Sequence, residues 1–133
     1  DMKSSINKML PFQKDKRVDV GCHFTMNSGK ALSALMKKND DFTHKGHFRP
    51  FFNMNISRML DNDRKEENMA ALNAEIMAQI DFLTDKGIEV KHLSSHFNTL
   101  HFYESFFVAQ CEVLALPKYE HIKIRSTEIK PKY

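Results

Sequence analysis

The sequence predicts an α/β fold in which parallel strands are joined by crossover helices. Two observations predict it: short segments with strand periodicity alternate with longer segments of helical periodicity, and the helices fall between the strands. Helices in those positions make right-handed crossovers and produce a parallel sheet. The length of 133 residues suits one domain and excludes two full-sized ones.

Residues 17–25 form the first predicted strand. In the run RVDVGCHFT, apolar residues occupy every second position from Val18 to Phe24, which is the period of a strand. The turn-forming residues at 27–29 end it. We expect a short helix over 31–38 and a loop over the polar stretch 39–50.

The most regular helical pattern lies within residues 61–86. Apolar side chains recur there at spacings of three and four, which places them on one face of a helix. They are Met69, Leu72, Ile76, Ile80 and Leu83. Acidic residues cluster near the predicted start, where the helix dipole favours negative charge, and Gly87 is a suitable residue to end the helix.

The second half repeats the alternation. Residues 88–93 (IEVKHL) alternate like a strand, and 94–100 are predicted to be a loop. A second helix is predicted over 102–116, where Pro117 ends it, and residues 121–124 are a third candidate strand.

Composition narrows the classes of function. Apolar residues make up 41% of the chain and charged residues 28%, which is typical of a packed globular domain. No apolar stretch approaches the ~20 residues of a membrane span, and the first residues carry no apolar leader. We therefore expect a cytoplasmic protein with no membrane partner.

Neither the charge distribution nor the cysteines indicate a nucleic-acid-binding protein or a Cys-based metal or redox site. The whole net charge of +3 lies in residues 118–133, which lack a nucleic-acid motif, so we interpret them as a solvated terminus and expect no nucleic-acid partner. Cys22 and Cys111 belong to no CxxC pair, and free thiols in a reducing compartment are the simplest interpretation. A single disulfide between them stays open.

The histidines suggest a metal site. His92 and His96 flank the carboxyl end of the second predicted strand, and His23 lies near that of the first. Neighbouring parallel strands bring these ends to one edge, where ligands gather. Because imidazole is a common ligand of Zn²⁺ and similar ions, these three residues are candidate metal ligands. The alternative is that His92 caps a strand and His96 hydrogen-bonds a loop.

Other catalytic patterns are absent from the sequence. No Glu follows His92, so the HExxH motif of zinc proteases is missing, and there is no GxSxG, GxGxxG or P-loop. We interpret the remaining histidines of the loops, His44, His47 and His121, as surface residues.

Several motifs in order resemble the YdjC/ChbG-like carbohydrate deacetylases. Residues 19–25 are similar to the DxGxHxT stretch of that family, 75–80 to its ExxAQI helix and 92–96 to its HxDSH box. Residues 45–48 and the Leu-Pro pair at 116–117 are similar to two further motifs. The order and spacing agree across about residues 17–118.

The resemblance implies a fold, a metal and a reaction. The fold would be part of a (β/α) barrel-like deacetylase fold, and a divalent metal, Mg²⁺ or Zn²⁺, would be held by one Asp and two His. Carried over by position, His23 and His96 are the implied ligands. The implied reaction removes N-acetyl groups from acetylated amino sugars or chito-oligosaccharides. Asp1, with the residues that follow it, partly matches the family's opening DDxG box and is the implied catalytic carboxylate.

Departures from the family pattern leave an alternative open. The DDxG box lacks its Gly here, and Ser94 stands where many members have Asp. The chain would then be a catalytically inactive carbohydrate- or metal-binding fragment of the same fold. Since full (β/α) barrels run to about 250 residues, we expect residues 1–133 to form a single, incomplete domain. Its uncovered apolar faces could drive formation of a homo-oligomer.

Overall fold

The computed structural model describes residues 2–16, 18–50, 61–96 and 99–125, and these form a mixed α/β structure. The predicted succession of strand, long helix, strand, helix and strand is present, with further short elements between them. In chain order the helices and strands are α1 (Met2–Lys14), β1 (Val20–Phe24), α2 (Ala34–Lys37), β2 (Thr43–His44), β3 (His47–Phe48), α3 (Asn62–Thr84), β4 (Val90–Ser95), α4 (Thr99–Phe102), α5 (Glu104–Leu114) and β5 (Lys123–Ile124).

Strands β1, β4 and β5 form a parallel sheet in that order. Helix α3 connects the first pair of strands, and α4 and α5 connect the second. The predicted parallel sheet with helices between its strands is confirmed. Across the residues that the structure describes, the sheet is open and no barrel closes, so the larger barrel stays a prediction.

Helix α3 is the main element packed on the sheet. The Asp61 side chain accepts a hydrogen bond from the Asp63 backbone and caps the start. After the last turn, Gly87 adopts φ 89°, a left-handed conformation that glycine takes without a Cβ penalty. The predicted helix and its terminating glycine are therefore confirmed.

The core lies between α3, α5 and one face of the sheet. The largest fully buried apolar side chains of these elements are Phe24, Leu72, Ile76, Ile80, Leu93 and Phe106. Burying a side chain of this size contributes about 1.5–3 kcal/mol relative to leaving it in water. This apolar layer holds the sheet against the helices and fixes the positions of the strand ends.

The predicted loop over 39–50 is wrong in part, because it contains the β2–β3 hairpin. Lys45 and Gly46, with φ 50° and 77°, form the two-residue turn between these short strands. Positive φ at both turn residues matches the twist of a hairpin. The segment is too short and too polar for strand periodicity to indicate it.

The predicted loop over 94–100 is also wrong in part. Strand β4 runs to Ser95, two residues beyond its predicted end at Leu93, and α4 begins at Thr99. Serine is not among the residues enriched in strands, but pairing with β1 supplies backbone hydrogen bonds to both serines. This extension matters because it places both serines in the sheet.

Helix α1 has no counterpart in the sequence prediction, which assigns no element before residue 17. Its sequence contains Pro11, which normally disfavours a helix interior. The helix is fastened by Gln13, which donates to the Glu89 carbonyl at 2.6 Å and accepts from the Glu89 amide at 3.0 Å. Such a contact, 76 residues apart in sequence, leaves no local pattern to read.

Within the described ranges, no helix has the length and apolarity that a membrane span requires.

The two cysteines are free thiols in different surroundings, and their reactivity tests the packing of β1. Cys22 is buried beneath α3, and burial raises the pKa of its thiol to about 12, whereas Cys111 is exposed. At mildly alkaline pH, a disulfide reagent should therefore modify Cys111 alone in the folded protein and both thiols in denaturant. Counting released thiolate by absorbance measures this.

Urea unfolding against pH provides a second measurement. Because the folded state holds the Cys22 proton more tightly, its contribution to stability is complete below pH 9.0 and lost toward pH 12. The loss should be up to ~1.4 kcal/mol per pH unit. Cys22→Ala should lack this component, while Cys111→Ala should keep it. Rapid labelling of both thiols in folded protein would contradict the buried placement.

Candidate functional site

Two histidines meet where the carboxyl ends of β1 and β4 lie side by side. His23 is in the last part of β1, and His96 follows directly after β4. Their ring centroids are 5.6 Å apart, and the rings are nearly perpendicular, at 89°. The structure thus brings together these two residues of the predicted set at one edge of the sheet.

The register between β1 and β4 decides which residues face each other. Val20 pairs with Val90, but Gly21 then pairs with His92, because Lys91 is an extra residue in β4. Without this shift, Leu93 would lie opposite His23. With it, Ser94 does.

The shift sorts polar and apolar residues onto opposite faces. Gly21, His23, His92 and Ser94 share one face, which we call the histidine face. The residues between them, Cys22, Phe24, Leu93 and Ser95, are buried on the other face. The polar histidine face is therefore attached directly to an apolar core.

Ser94 orients the His23 ring. Its Oγ lies 2.9 Å from His23 Nδ1. If Nδ1 carries the ring proton, it donates to Ser94 and the lone pair is on Nε2. This is the tautomer that binds a cation through Nε2, and a hydrogen bond of this kind holds such a ring in place.

The surroundings of His23 favour its neutral form. Its pKa is lowered from the usual value, first by loss of solvent and then by the nearby His96. A neutral imidazole is the form that coordinates metals, so His23 keeps this capacity to a lower pH than an isolated histidine.

His92 lies on the histidine face but has different neighbours. Its ring packs over Gly21, and Nε2 is 3.4 Å from an Arg125 guanidinium nitrogen. Within the described ranges, no three His, Cys, Asp or Glu side chains are grouped so that they could hold a metal. The described structure places His92 in no such group, and its assignment as a third ligand stays a prediction.

Other candidate residues fall elsewhere. Asp1, the predicted catalytic carboxylate, lies outside the described residues. His44, His47 and His121 are exposed, as predicted for surface residues.

A cavity of about 330 Å³ adjoins His23 along the outer edge of β1. It lies within the size range of small-molecule sites. One wall is the strand itself, and the opposite wall is α3 with the loop that follows β1. The lining residues are Gly21, Cys22, His23, Thr25, Lys30, Leu32, Gln79, Phe82 and Leu83.

The sequence profile of the YdjC-like protein family matches residues 3–131 of the 133-residue chain. The chain belongs to this family. YdjC-like proteins are carbohydrate deacetylase-type hydrolases, and membership indicates a role related to carbohydrate deacetylation. Searches of curated proteins and of solved structures found no match to the chain.

The structure of this YdjC-like chain also gives roles to residues that the sequence motifs contain but leave without a role. Glu75 and Gln79 are buried on the inner face of α3, where they hydrogen-bond the loop beside the cavity. Both are letters of the ExxAQI motif, and they are polar residues four apart among the apolar positions of an amphipathic helix, but neither signal indicates which backbone groups they bind. Ser94 was noted only as a departure from the family motif, and its bond to His23 depends on the strand register.

Gly21→Ala tests the close packing of the histidine face. A Cβ at position 21 would collide with the His92 ring and lie 2.7 Å from the His92 carbonyl oxygen. We expect a loss of about 1–3 kcal/mol in the free energy of unfolding, measured in urea. The double variant with His92→Ala should lose less than the sum of the single variants, because the collision with the ring disappears. Additive losses would show that the ring does not pack there.

Proposed function

We propose that the chain is a metal-dependent hydrolase that removes the N-acetyl group from acetylated amino sugars or chito-oligosaccharides. The observation that carries the proposal is the pair of imidazoles, His23 and His96, at the ends of adjacent parallel strands. A bond to Ser94 orients one of them, and a cavity adjoins the same ring. Family membership supports the reaction class.

The donor chemistry fits a divalent cation. Two imidazoles in close approach repel when both are protonated, and His23 is held toward its neutral form. Neutral imidazoles suit Zn²⁺ better than Mg²⁺, which prefers oxygen. In the proposed site His23 and His96 bind the cation, and Asp1 supplies the carboxylate. A cation held there would polarise the acetyl carbonyl and acidify a water molecule.

The chain's own residues position the reactants. With the ring proton on Nδ1 donated to Ser94 Oγ, His23 has its lone pair on Nε2, the atom that would bind the cation. Beside it, the cavity offers apolar contact from Phe82 and Leu83 and polar contact from Lys30. An amino sugar presents matching C–H faces and hydroxyl groups. Water adds to the acetyl carbon, the C–N bond breaks, acetate leaves, and the sugar amine takes a proton.

A second candidate is a carbohydrate- or metal-binding protein without turnover. The observation that favours it is Ser94, a neutral hydroxyl where the family motif carries a carboxylate. A hydroxyl orients His23 but does not increase its basicity as a carboxylate does. This candidate predicts binding of metal or sugar with no release of acetate.

Removing either imidazole should abolish metal binding and activity. We expect His23→Ala and His96→Ala each to weaken Zn²⁺ binding by at least ~100-fold, because a direct ligand contributes more than the 10–100-fold of a supporting residue. Calorimetry measures the affinity, and acetate release from N-acetylglucosamine oligomers measures turnover.

His44→Ala is the matched control, since His44 is an exposed histidine on β2. It should change neither property. Metal binding without acetate release, across Mg²⁺ and Zn²⁺, would favour the second candidate. Unchanged Zn²⁺ affinity in both His23→Ala and His96→Ala would overturn the proposed site.

Ser94→Asp should strengthen the site and Ser94→Ala should weaken it. A carboxylate accepts the Nδ1 proton of His23 more strongly than a hydroxyl does, whereas alanine cannot accept it. We expect Zn²⁺ affinity to rise about tenfold in the first variant and fall about tenfold in the second. Nitrogen-15 NMR of the His23 ring should report Nδ1 protonation in the wild type and mixed tautomers in Ser94→Ala. Equal affinities in the three proteins would contradict this role of Ser94.

A further inference from the structure

We propose that Glu75 and Gln79 are positioning residues for the sugar-binding side of the site, through the loop at 25–33. The proposal rests on the proposed function, because it concerns the cavity in which the substrate would lie. Neither residue is assigned a role by the metal chemistry.

Gln79 binds the backbone of β1 where the strand ends. Its side-chain oxygen accepts from the Thr25 amide at 3.0 Å, and its nitrogen donates to the Thr25 carbonyl at 2.7 Å. This paired bonding resembles that of a neighbouring strand, on the side of β1 that pairs with none of the described strands. It fixes the direction in which the chain leaves the sheet, two residues after His23.

Glu75 holds the other end of the loop. One turn before Gln79 on α3, its fully buried carboxylate accepts from the Leu32 and Ser33 amides, the latter at 2.8 Å. It also accepts from the Gln79 side-chain nitrogen at 2.9 Å. The two residues therefore act together. Through them α3 is hydrogen-bonded to both ends of the loop, and the two side chains are also hydrogen-bonded to each other.

The loop held in this way is the outer wall of the cavity. Thr25, Lys30 and Leu32 belong to it and line the cavity, as does Gln79 itself. A shift of the loop would change the space available to a sugar but would leave His96 and the pairing of β1 with β4 in place. The expected signature is weaker substrate binding with little change in the chemical step.

The energetics also separate this role from core packing. Burying a carboxylate is expensive unless its hydrogen bonds compensate. The neighbouring inward positions on α3 are apolar, since Leu72, Ile76 and Ile80 are at most 1% exposed. An apolar residue at position 75 would pack on the same face, but it could not hold the amides at 32 and 33.

Steady-state kinetics of acetate release test the proposal in the full chain. With N-acetylglucosamine oligomers and Zn²⁺, Gln79→Leu and Glu75→Gln should raise KM about tenfold and leave kcat within threefold. Asn68→Leu is the matched control: Asn68 is also a buried amide on α3, but it bonds Asn39 and Asp41, away from the cavity. Its KM should match that of the wild type.

Hydrogen exchange adds a structural readout. The Thr25 amide should exchange faster in Gln79→Leu than in the wild type, and the Ser33 amide faster in Glu75→Gln. Faster exchange with unchanged KM would overturn the proposal, because the contacts would then be purely structural. Glu75→Gln keeps the shape of the side chain and supplies the test if Gln79→Leu does not fold.

The result for the wild type separates this proposal from the proposed function. If the wild type releases no acetate, hydrolysis is refuted, and calorimetry with the same oligomers replaces kinetics. A tenfold weaker affinity in the two variants would still support the positioning role. Equal affinity in all variants, or no sugar binding by the wild type, would overturn it.

Discussion

The register between β1 and β4 is the constraint on which the candidate site depends. A strand alternates its side chains between two faces, so a shift of one residue exchanges the core set for the solvent set. Because Lys91 is an extra residue, the residues of β4 that follow it point to the face opposite to the one they would otherwise occupy relative to β1. Below Lys91, Val20 pairs with Val90 in the core, and above it Ser94 comes opposite His23. The same shift seats the His92 ring over Gly21, where a side chain would obstruct it.

Helix α3 adds a second constraint by serving two purposes on one face. Its apolar residues bury the sheet, as their spacing indicates. Glu75 and Gln79 interrupt that apolar face, and their side-chain oxygens accept hydrogen bonds from the backbone amides at 25, 32 and 33. Since the helix is locked to the sheet by the core, the loop is locked to the sheet as well. The packed core therefore also fixes the position of the loop that lines the cavity.

The sequence was sufficient for features with a local cause. Alternation predicted β1, and the spacing of apolar residues predicted α3 and its end at Gly87. The parallel order of β1 and β4 followed from the helix between them, and it correctly brought His23 and His96 to the same edge.

Features with non-local causes escaped prediction. The bulge at Lys91 arises from the pairing of two strands about 70 residues apart. The sequence of either strand alone therefore does not indicate it. Gln13 hydrogen-bonds α1 to Glu89, and the periodicity of the sequence does not predict that contact. The hairpin at 43–48 is too short for alternation to be visible, although its Lys-Gly turn has the positive φ values of such turns. Each missed feature depends on a partner that is distant in the sequence or on a turn conformation.

The composition of the histidine face follows from its exposure. Parallel sheets usually bury both faces, and their strands are then apolar throughout. Here only one face of β1 and β4 is apolar, and the other carries Gly21, His23, His92 and Ser94, which are half-buried or exposed. An apolar set on that face would stabilise the sheet only if another layer covered it. Polar side chains that bond one another, as His23 and Ser94 do, tolerate contact with water and with a ligand equally well. The same two strands therefore carry a buried apolar face on one side and an accessible polar face on the other.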